Sequence, residues 1–276
     1  MSWTPESIIL LQQEDIISRI IVGSLSLLAY DFFQTLELEV EYIWKSRYSL
    51  FTLNYLVMKY LPMIDVQLLV ILNHAKMKGN TCNAINLFVG CSFVVGVMAT
   101  QLILTLRTWV LWGRSRWLAC VIILFATCWF IYVVIFCTSS LKSIHFTDRI
   151  PSGSCIPLTG SQYSNVWVSW MSQLIYDAFL CILLIVRVVI EWRNRLSSRS
   201  IFFWYREGIL YYIYIFLLTL ICIGWIKNLG EQFPVPAIVL TRVFHPMLTT
   251  RIVLHARRQA NHTLDDTDVI STAIEV

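Results

Sequence analysis

Asp65, Asp177, Arg242 and His245 place ionisable groups inside long hydrophobic segments of this chain. An ionisable side chain in the middle of a membrane-spanning helix costs roughly 2.5–3.5 kcal/mol on insertion scales, so it needs a partner or water. At 1.5 Å of rise per residue, Asp65 and Arg242 each lie about 10 Å below the outer end of their segment, and Asp177 lies about 16 Å below the end of its own. The equal depth of Asp65 and Arg242 predicts that they form a buried ion pair.

His245 follows Arg242 by about one helical turn and therefore lies on the same helix face. Two interpretations of this polar group stay open. In the first, the Asp65–Arg242 pair fixes helix packing and binds nothing. In the second, these residues and Asp177 line a polar pocket for a small ligand or an ion. Both predict that Asp65→Asn lowers expression, but only a pocket predicts that a folded Asp65→Asn/Arg242→Gln variant loses a ligand response.

The composition is that of a membrane protein. Hydrophobic types make up 57% of the 276 residues, charged types make up 14%, and the mean hydropathy is +0.67. Soluble domains carry about 25% charged residues. The 11 Trp and 12 Tyr also suit a bilayer partner, because both types collect at the lipid–water boundary. The net charge is only +4 and no extended basic face is visible, so nucleic acid is not an expected partner.

A helix needs about 20 apolar residues to cross a bilayer, and the sequence offers enough for an all-α bundle of seven transmembrane helices. The predicted spans are Ile16–Leu36, Leu50–Leu72, Ile85–Leu106, Trp117–Thr138, Val166–Val186, Ile209–Ile226 and Val235–Leu254. The seventh is the weakest prediction, because it contains Arg242, His245, Pro246 and Arg251. A six-span chain with this segment on the membrane surface is the alternative.

The loop cations predict the orientation of the chain. Most of them fall on the side that becomes cytoplasmic when the N-terminus is outside, as the positive-inside rule requires. We therefore expect an extracellular segment over residues 1–15, a membrane domain over 16–258 and a disordered cytoplasmic tail over 259–276. The plasma membrane is the expected location.

Two cysteines differ from the other six, which lie within predicted spans. Cys82 and Cys155 both fall in loops on the predicted outer side, where the medium is oxidising, so we expect a disulfide between them. The histidines do not suggest a metal site, because they lie at different predicted depths and form no HExxH motif. The positions considered are His74, His145, His245 and His255. We expect no metal and no cofactor.

The third span carries small residues at four-residue spacing, Ser92, Gly96 and Thr100. Small residues at this spacing let membrane helices approach closely, which suits a helix in the middle of the bundle. Pro62 and Pro246 are expected to kink the second and seventh helices.

The stretch YDFFQTLELEVEYIWKSRYSL, residues 30 to 50, lies between the first two spans. Its Tyr-Asp, Thr-Leu, Glu-Val, Ile-Trp and Ser-Leu pairs, followed by Tyr-Leu-Pro at residues 60 to 62, resemble the N-terminal signature of an uncharacterised family of fungal seven-helix membrane proteins. The resemblance covers residues 28–65. It implies seven spans and a membrane location, and it implies no activity.

The acidic residues of this stretch are expected to form an ionic clasp at the cytoplasmic face. Asp31 and Glu39 would pair with nearby cations, the candidates being Lys45, Arg47 and Arg107. Such pairs would hold the first three helices together.

Three functions compete. A receptor-like bundle would sense a small ligand and signal to a cytoplasmic partner, as the predicted orientation, disulfide and basic inner loops suggest. A transporter would use Asp65, Asp177 and Arg242 as a path for ions, protons or small molecules. A membrane-embedded metal hydrolase is the least favoured, and we expect that the protein is not an enzyme.

Overall fold

The computed structural model describes residues 5–45, 49–74, 79–143, 166–193, 199–229 and 234–274. These ranges form seven α-helices and a π-helical segment, Val40–Trp44, that continues the first of them. The helices are α1 Pro5–Glu39, α2 Leu50–His74, α3 Gly79–Leu111, α4 Arg116–Ser143, α5 Val166–Arg193, α6 Arg199–Leu229 and α7 Pro234–Ile274. No strand occurs in the described ranges. Each of the 7 helices contains a stretch long and apolar enough to cross a membrane, so the chain is a multi-pass integral membrane protein.

The helices form a ring in sequence order, and two of them make additional contacts across it. Helix α3 contacts α2, α4, α5 and α7, while α7 contacts α1, α2, α3 and α6. The seventh span, the weakest by hydropathy, is the most enclosed: 67% of its apolar window is buried, against 17% for α4. Its polar residues lowered the hydropathy because they face other helices, whereas α4 presents apolar side chains to lipid.

The apolar core lies between α3 and its neighbours. Leu104 of α3, Leu180 of α5, Ile215 of α6 and Ile252 of α7 belong to one buried cluster. A second cluster joins Ile43 to α2, α3 and α7. These contacts set the spacing at which polar side chains from different helices can meet inside the bundle.

The first helix is longer than the predicted Ile16–Leu36, and its span reaches from Asp15 to Trp44. The sequence predicts a loop for the charged stretch after Leu36, whereas Glu39 is fully buried in the structure. A π-helical turn fits one additional residue into the helix. Here it places Ile43 in the core with 0% exposure, and Trp44 then follows at the half-exposed edge of the bundle.

Helix α7 extends to Ile274. The domain bounds expected from the sequence, with an extracellular segment over 1–15 and a disordered cytoplasmic tail over 259–276, stay predictions.

Candidate functional site

The predicted pair between Asp65 of α2 and Arg242 of α7 forms. Arg242 Nε donates to Asp65 Oδ2 at 2.7 Å, and Arg242 Nη2 contacts the same oxygen. The hydroxyl of Ser92 in α3 donates to the other carboxylate oxygen, and Arg242 Nη2 also donates to the Ser92 carbonyl at 3.1 Å. We call these residues the Asp65 cluster. Both carboxylate oxygens of Asp65 have polar partners, and Arg242 balances its charge. Because these residues belong to α2, α3 and α7, the cluster joins three helices.

Gly96 makes this arrangement possible. A Cβ placed on Gly96 would overlap the guanidinium of Arg242. The small residue that was expected to permit close helix approach therefore accommodates the head of a charged side chain from α7. Arg242 also lies over the ring of Phe93, with 5.8 Å between its Cζ and the ring centroid.

Asp177 of α5 is the centre of a second buried group. Its Oδ1 accepts hydrogen bonds from Gln101 Nε2 at 2.9 Å and from Gln173 Nε2 at 3.0 Å. Its Oδ2 lies 3.0 Å from the hydroxyl of Thr219 on α6 and 3.9 Å from Nε2 of His245 on α7. We call these five residues the Asp177 cluster, which joins four helices.

The two clusters are linked through α7. Arg242 and His245 lie about one turn apart on it, and Pro246 follows directly. Because Pro246 has no N–H, the Arg242 carbonyl lacks its usual helical hydrogen bond from that position. The helix is therefore locally weaker at the point where both clusters meet it.

The acids of the predicted clasp are buried, but their partners are different. Asp31 Oδ1 accepts from Arg251 Nε at 3.0 Å and from Arg251 Nη2 at 2.8 Å. Glu39 is in contact with Lys59 Nζ and accepts from the Tyr60 hydroxyl at 2.9 Å. We call these residues, with Thr35 and Trp44, the α1 cluster.

The predicted clasp cations therefore need correction. Lys45 is exposed, and Arg47 lies outside the described residues. Nη1 of Arg107 is buried without a hydrogen-bond partner among the described residues. The physical reason is that Asp31 and Glu39 do not lie at the membrane surface, where loop cations could reach them. They lie inside the span, so cations of α2 and α7 neutralise them.

A signal for these partners was present in the sequence. Asp31, Thr35 and Glu39 recur every four residues and so share one face of α1. Lys59 Nζ donates to Thr35 Oγ1 at 3.0 Å on that face. Lys59 and Arg251 are cations within the predicted second and seventh spans. Matching the acids of α1 to cations within spans favours both pairs.

Cys82 is disulfide-bonded. Its predicted partner, Cys155, lies outside the described residues, so the pairing stays a prediction. Within the described part of the chain, five cysteines are free: Cys91, Cys120, Cys128, Cys181 and Cys222.

The described residues contain no group of three or more His, Cys, Asp or Glu side chains placed to hold a metal ion. His74 instead lies 3.1 Å from the Ser18 hydroxyl through Nε2 and 2.9 Å from the Val70 carbonyl through Nδ1. His145 lies outside the described residues, and His255 is exposed.

The α1 cluster coincides with a region that resembles known sequences. Residues 20–64 match a family of unknown function, DUF6533. The match overlaps the stretch 28–65 and supports an uncharacterised domain there, while the fungal assignment stays a prediction. A comparison with curated proteins gives no match. The DUF6533 region contains Asp31, Glu39 and Lys59, whereas the principal residues of the Asp65 and Asp177 clusters lie after it.

Proposed function

We propose that the protein is a receptor-like seven-helix membrane protein that senses a small ligand on its outer side and signals to a cytoplasmic partner. We expect it to bind and signal rather than to catalyse, and to reside in the plasma membrane. The observation that carries the proposal is that α7 makes buried and part-buried polar contacts along its length. Arg242 contacts Asp65, His245 lies against Asp177, and further along Arg251 pairs with Asp31.

The spacing of these contacts suggests how a signal would travel. Arg242 and Arg251 are about 14 Å apart along the helix axis at 1.5 Å per residue. A ligand that shifts α7 at Arg242 would also shift the guanidinium of Arg251 relative to Asp31 of α1. A packed element with two arrangements, which a ligand biases, is what coupling between distant sites requires. The Arg251 side chain is one-third exposed, so its pair can open more readily than the fully buried Asp65–Arg242 pair.

The test uses the full chain in lipid nanodiscs. A library of small molecules is screened by thermal unfolding, and hydrogen exchange of residues 248–258 is then measured with each ligand that raises Tm. We expect such a ligand to change exchange in this part of α7. Arg251→Gln should retain the Tm shift and lose the exchange response. Arg258→Gln is the matched control, because Arg258 is exposed and should retain both.

Two results would contradict the receptor proposal. One is a ligand that raises Tm and leaves exchange of residues 248–258 unchanged. The other is movement of that ligand across the bilayer when the protein is reconstituted in liposomes, which would support a carrier.

A transporter of ions or protons is the second candidate, and one specific observation favours it. Asp177 is a buried acid with no Lys or Arg partner among the described residues, and acids within membrane spans often mark ion pathways and proton relays. Flux in liposomes that Asp177→Asn abolishes would favour this function over the receptor.

A further inference from the structure

The Asp177 carboxylate has hydrogen bonds but no cation to balance its charge. Asp177 is 4% exposed, and its only ion-pair contact within the described residues is His245 at 3.9 Å. The nearest cation along α7, Arg242, is already committed to Asp65. A buried carboxylate without a paired charge is strongly unfavourable, so either a proton or a bound cation is needed to neutralise it.

The hydroxyl of Thr219 cannot satisfy both of its neighbours. Its Oγ1 lies 3.0 Å from Asp177 Oδ2 and 3.0 Å from the carbonyl of Ile215. A threonine hydroxyl has one proton to donate. Within helices, a threonine hydroxyl commonly donates to the carbonyl four residues earlier, which here is Ile215. In that case the lone pairs of Thr219 Oγ1 and Asp177 Oδ2 face each other. This arrangement attracts a positive charge.

Two further buried atoms belong to residues whose side chains lie against the same carboxylate, and His245 Nε2 offers a lone pair when the ring proton is on Nδ1. Oε1 of Gln101 and Nε2 of His245 are buried and have no hydrogen-bond partner among the described residues. Gln101 is 2% exposed and His245 is 6% exposed. The Gln101 amide is anchored to Asp177 through its nitrogen at 2.9 Å, so its free oxygen lies within one amide group of the carboxylate. Unsatisfied buried polar atoms are rare in folded proteins and need an explanation.

We propose that the carboxylate, the Thr219 hydroxyl and the two unsatisfied atoms beside them bind one small monovalent cation, the ligands being Asp177 Oδ2, Thr219 Oγ1, Gln101 Oε1 and His245 Nε2. Hard cations take oxygen ligands at about 2.3–2.6 Å, and two donors at that distance from a shared ion can be 3.9 Å apart, as Oδ2 and His245 Nε2 are. One negative charge balances one positive charge, so a divalent ion would leave an excess. A single imidazole without thiolates is also a poor site for zinc.

A cation explains more of these observations than a proton does. A proton on Asp177 could be donated to one neighbour only, either Thr219 or His245, and would leave the Gln101 oxygen unsatisfied. A water molecule could reach several of the groups but would leave the carboxylate charge unbalanced. The site lies at the junction of α3, α5, α6 and α7, so its occupancy would stabilise the bundle. The proposed cation site does not depend on whether the protein is a receptor or a transporter.

The experiment measures thermal unfolding of the full chain in nanodiscs at fixed pH and ionic strength, with NaCl titrated against choline chloride. A ligand that binds only the folded state stabilises it in a concentration-dependent manner. We expect Tm to rise with Na⁺ and then to saturate. Asp177→Asn should remove this dependence. Thr219→Val, which preserves side-chain shape, should move the titration to higher Na⁺ and keeps the test valid if Asp177→Asn fails to fold.

The matched control is Thr250→Val. Thr250 is a buried threonine of α7 whose hydroxyl donates to the Met247 carbonyl at 2.9 Å, away from Asp177. Its Na⁺ titration should equal that of the unmodified chain. Equal Tm in NaCl and choline chloride would overturn the proposal, as would a Na⁺ effect of the same size in Asp177→Asn. The Na⁺ titration is repeated at a second pH, and a Tm that changes between the two pH values and not with Na⁺ would overturn the proposal and mean that Asp177 carries a proton instead.

Discussion

The guanidinium of Arg242 on α7 occupies the space that a side chain at position 96 of α3 would fill. Gly96 is thus part of the Asp65 cluster although it donates no atom to it. The guanidinium cannot move aside without cost, because it is held by Asp65 and by the Ser92 carbonyl. The Asp65 cluster and the packing of α3 against α7 therefore depend on each other.

Gly96→Ala should destabilise the bundle. The added methyl group forces Arg242 away from Asp65, and overpacking of this kind costs about 1–3 kcal/mol. Thermal unfolding in nanodiscs measures the effect as a lower Tm. Gly23→Ala is the matched control: nothing lies within 4 Å of a Cβ at Gly23, so Tm should stay the same or rise. Equal Tm changes for the two variants would show that Arg242 is not held as described.

The Asp65–Arg242 pair should give a large coupling in a double-mutant cycle. Asp65→Asn or Arg242→Gln alone leaves one buried charge without its partner, which costs about 3–5 kcal/mol. The double variant removes both charges and should be less destabilised than the sum of the two single changes. Unfolding in nanodiscs provides the three values. Additive losses would contradict a direct buried pair.

Lys59→Met tests the revised clasp. It leaves Glu39 buried with 0% exposure and without its cation, so a loss of about 3–5 kcal/mol is expected. Lys45→Met is the matched control, because Lys45 is exposed and should change stability by less than about 0.5 kcal/mol. Glu39→Gln combined with Lys59→Met should recover part of the loss. If Lys45→Met proved the more damaging of the two, the loop-based clasp would be right.

The disulfide of Cys82 should end at Cys155. Non-reducing peptide mapping by mass spectrometry should recover one linked peptide that contains both residues. Cys82→Ser and Cys155→Ser should then lower Tm by the same amount, and the double variant should add nothing further, because each single change already breaks the whole bond. A linked peptide that joins Cys82 to any other cysteine would refute the pairing.

The sequence was sufficient for the class of fold and for one buried pair. Hydropathy predicted seven spans, and depth alone matched Asp65 to Arg242 because both were counted from the same end of the bundle. Hydropathy was not sufficient for the α1 cluster, since Glu39 follows Glu37 and precedes Glu41 in what looks like a loop. The four-residue spacing of Asp31, Thr35 and Glu39 was the sequence signal that pointed to it. The structure shows that α1 includes Glu39 and continues into the π-helical segment Val40–Trp44. Within α1, Glu39 contacts Lys59 of α2.

The Asp177 cluster was predicted only in part. Asp177 and His245 could be recognised as ionisable groups within spans. The neutral members, Gln101, Gln173 and Thr219, have no distinguishing pattern, because a single amide or hydroxyl in a span can satisfy itself within its own helix. Their convergence depends on how α3, α5 and α6 are rotated, which hydropathy does not specify.

The most direct test of the whole account is the sidedness of the two chain ends. Seven crossings, with α7 as a buried transmembrane helix, place the two ends in different compartments. Epitope tags at both termini are probed with antibodies in intact and permeabilised cells. We predict that the N-terminal tag is accessible in intact cells and that the C-terminal tag becomes accessible only after permeabilisation. Detection of both tags in the same compartment would contradict the account.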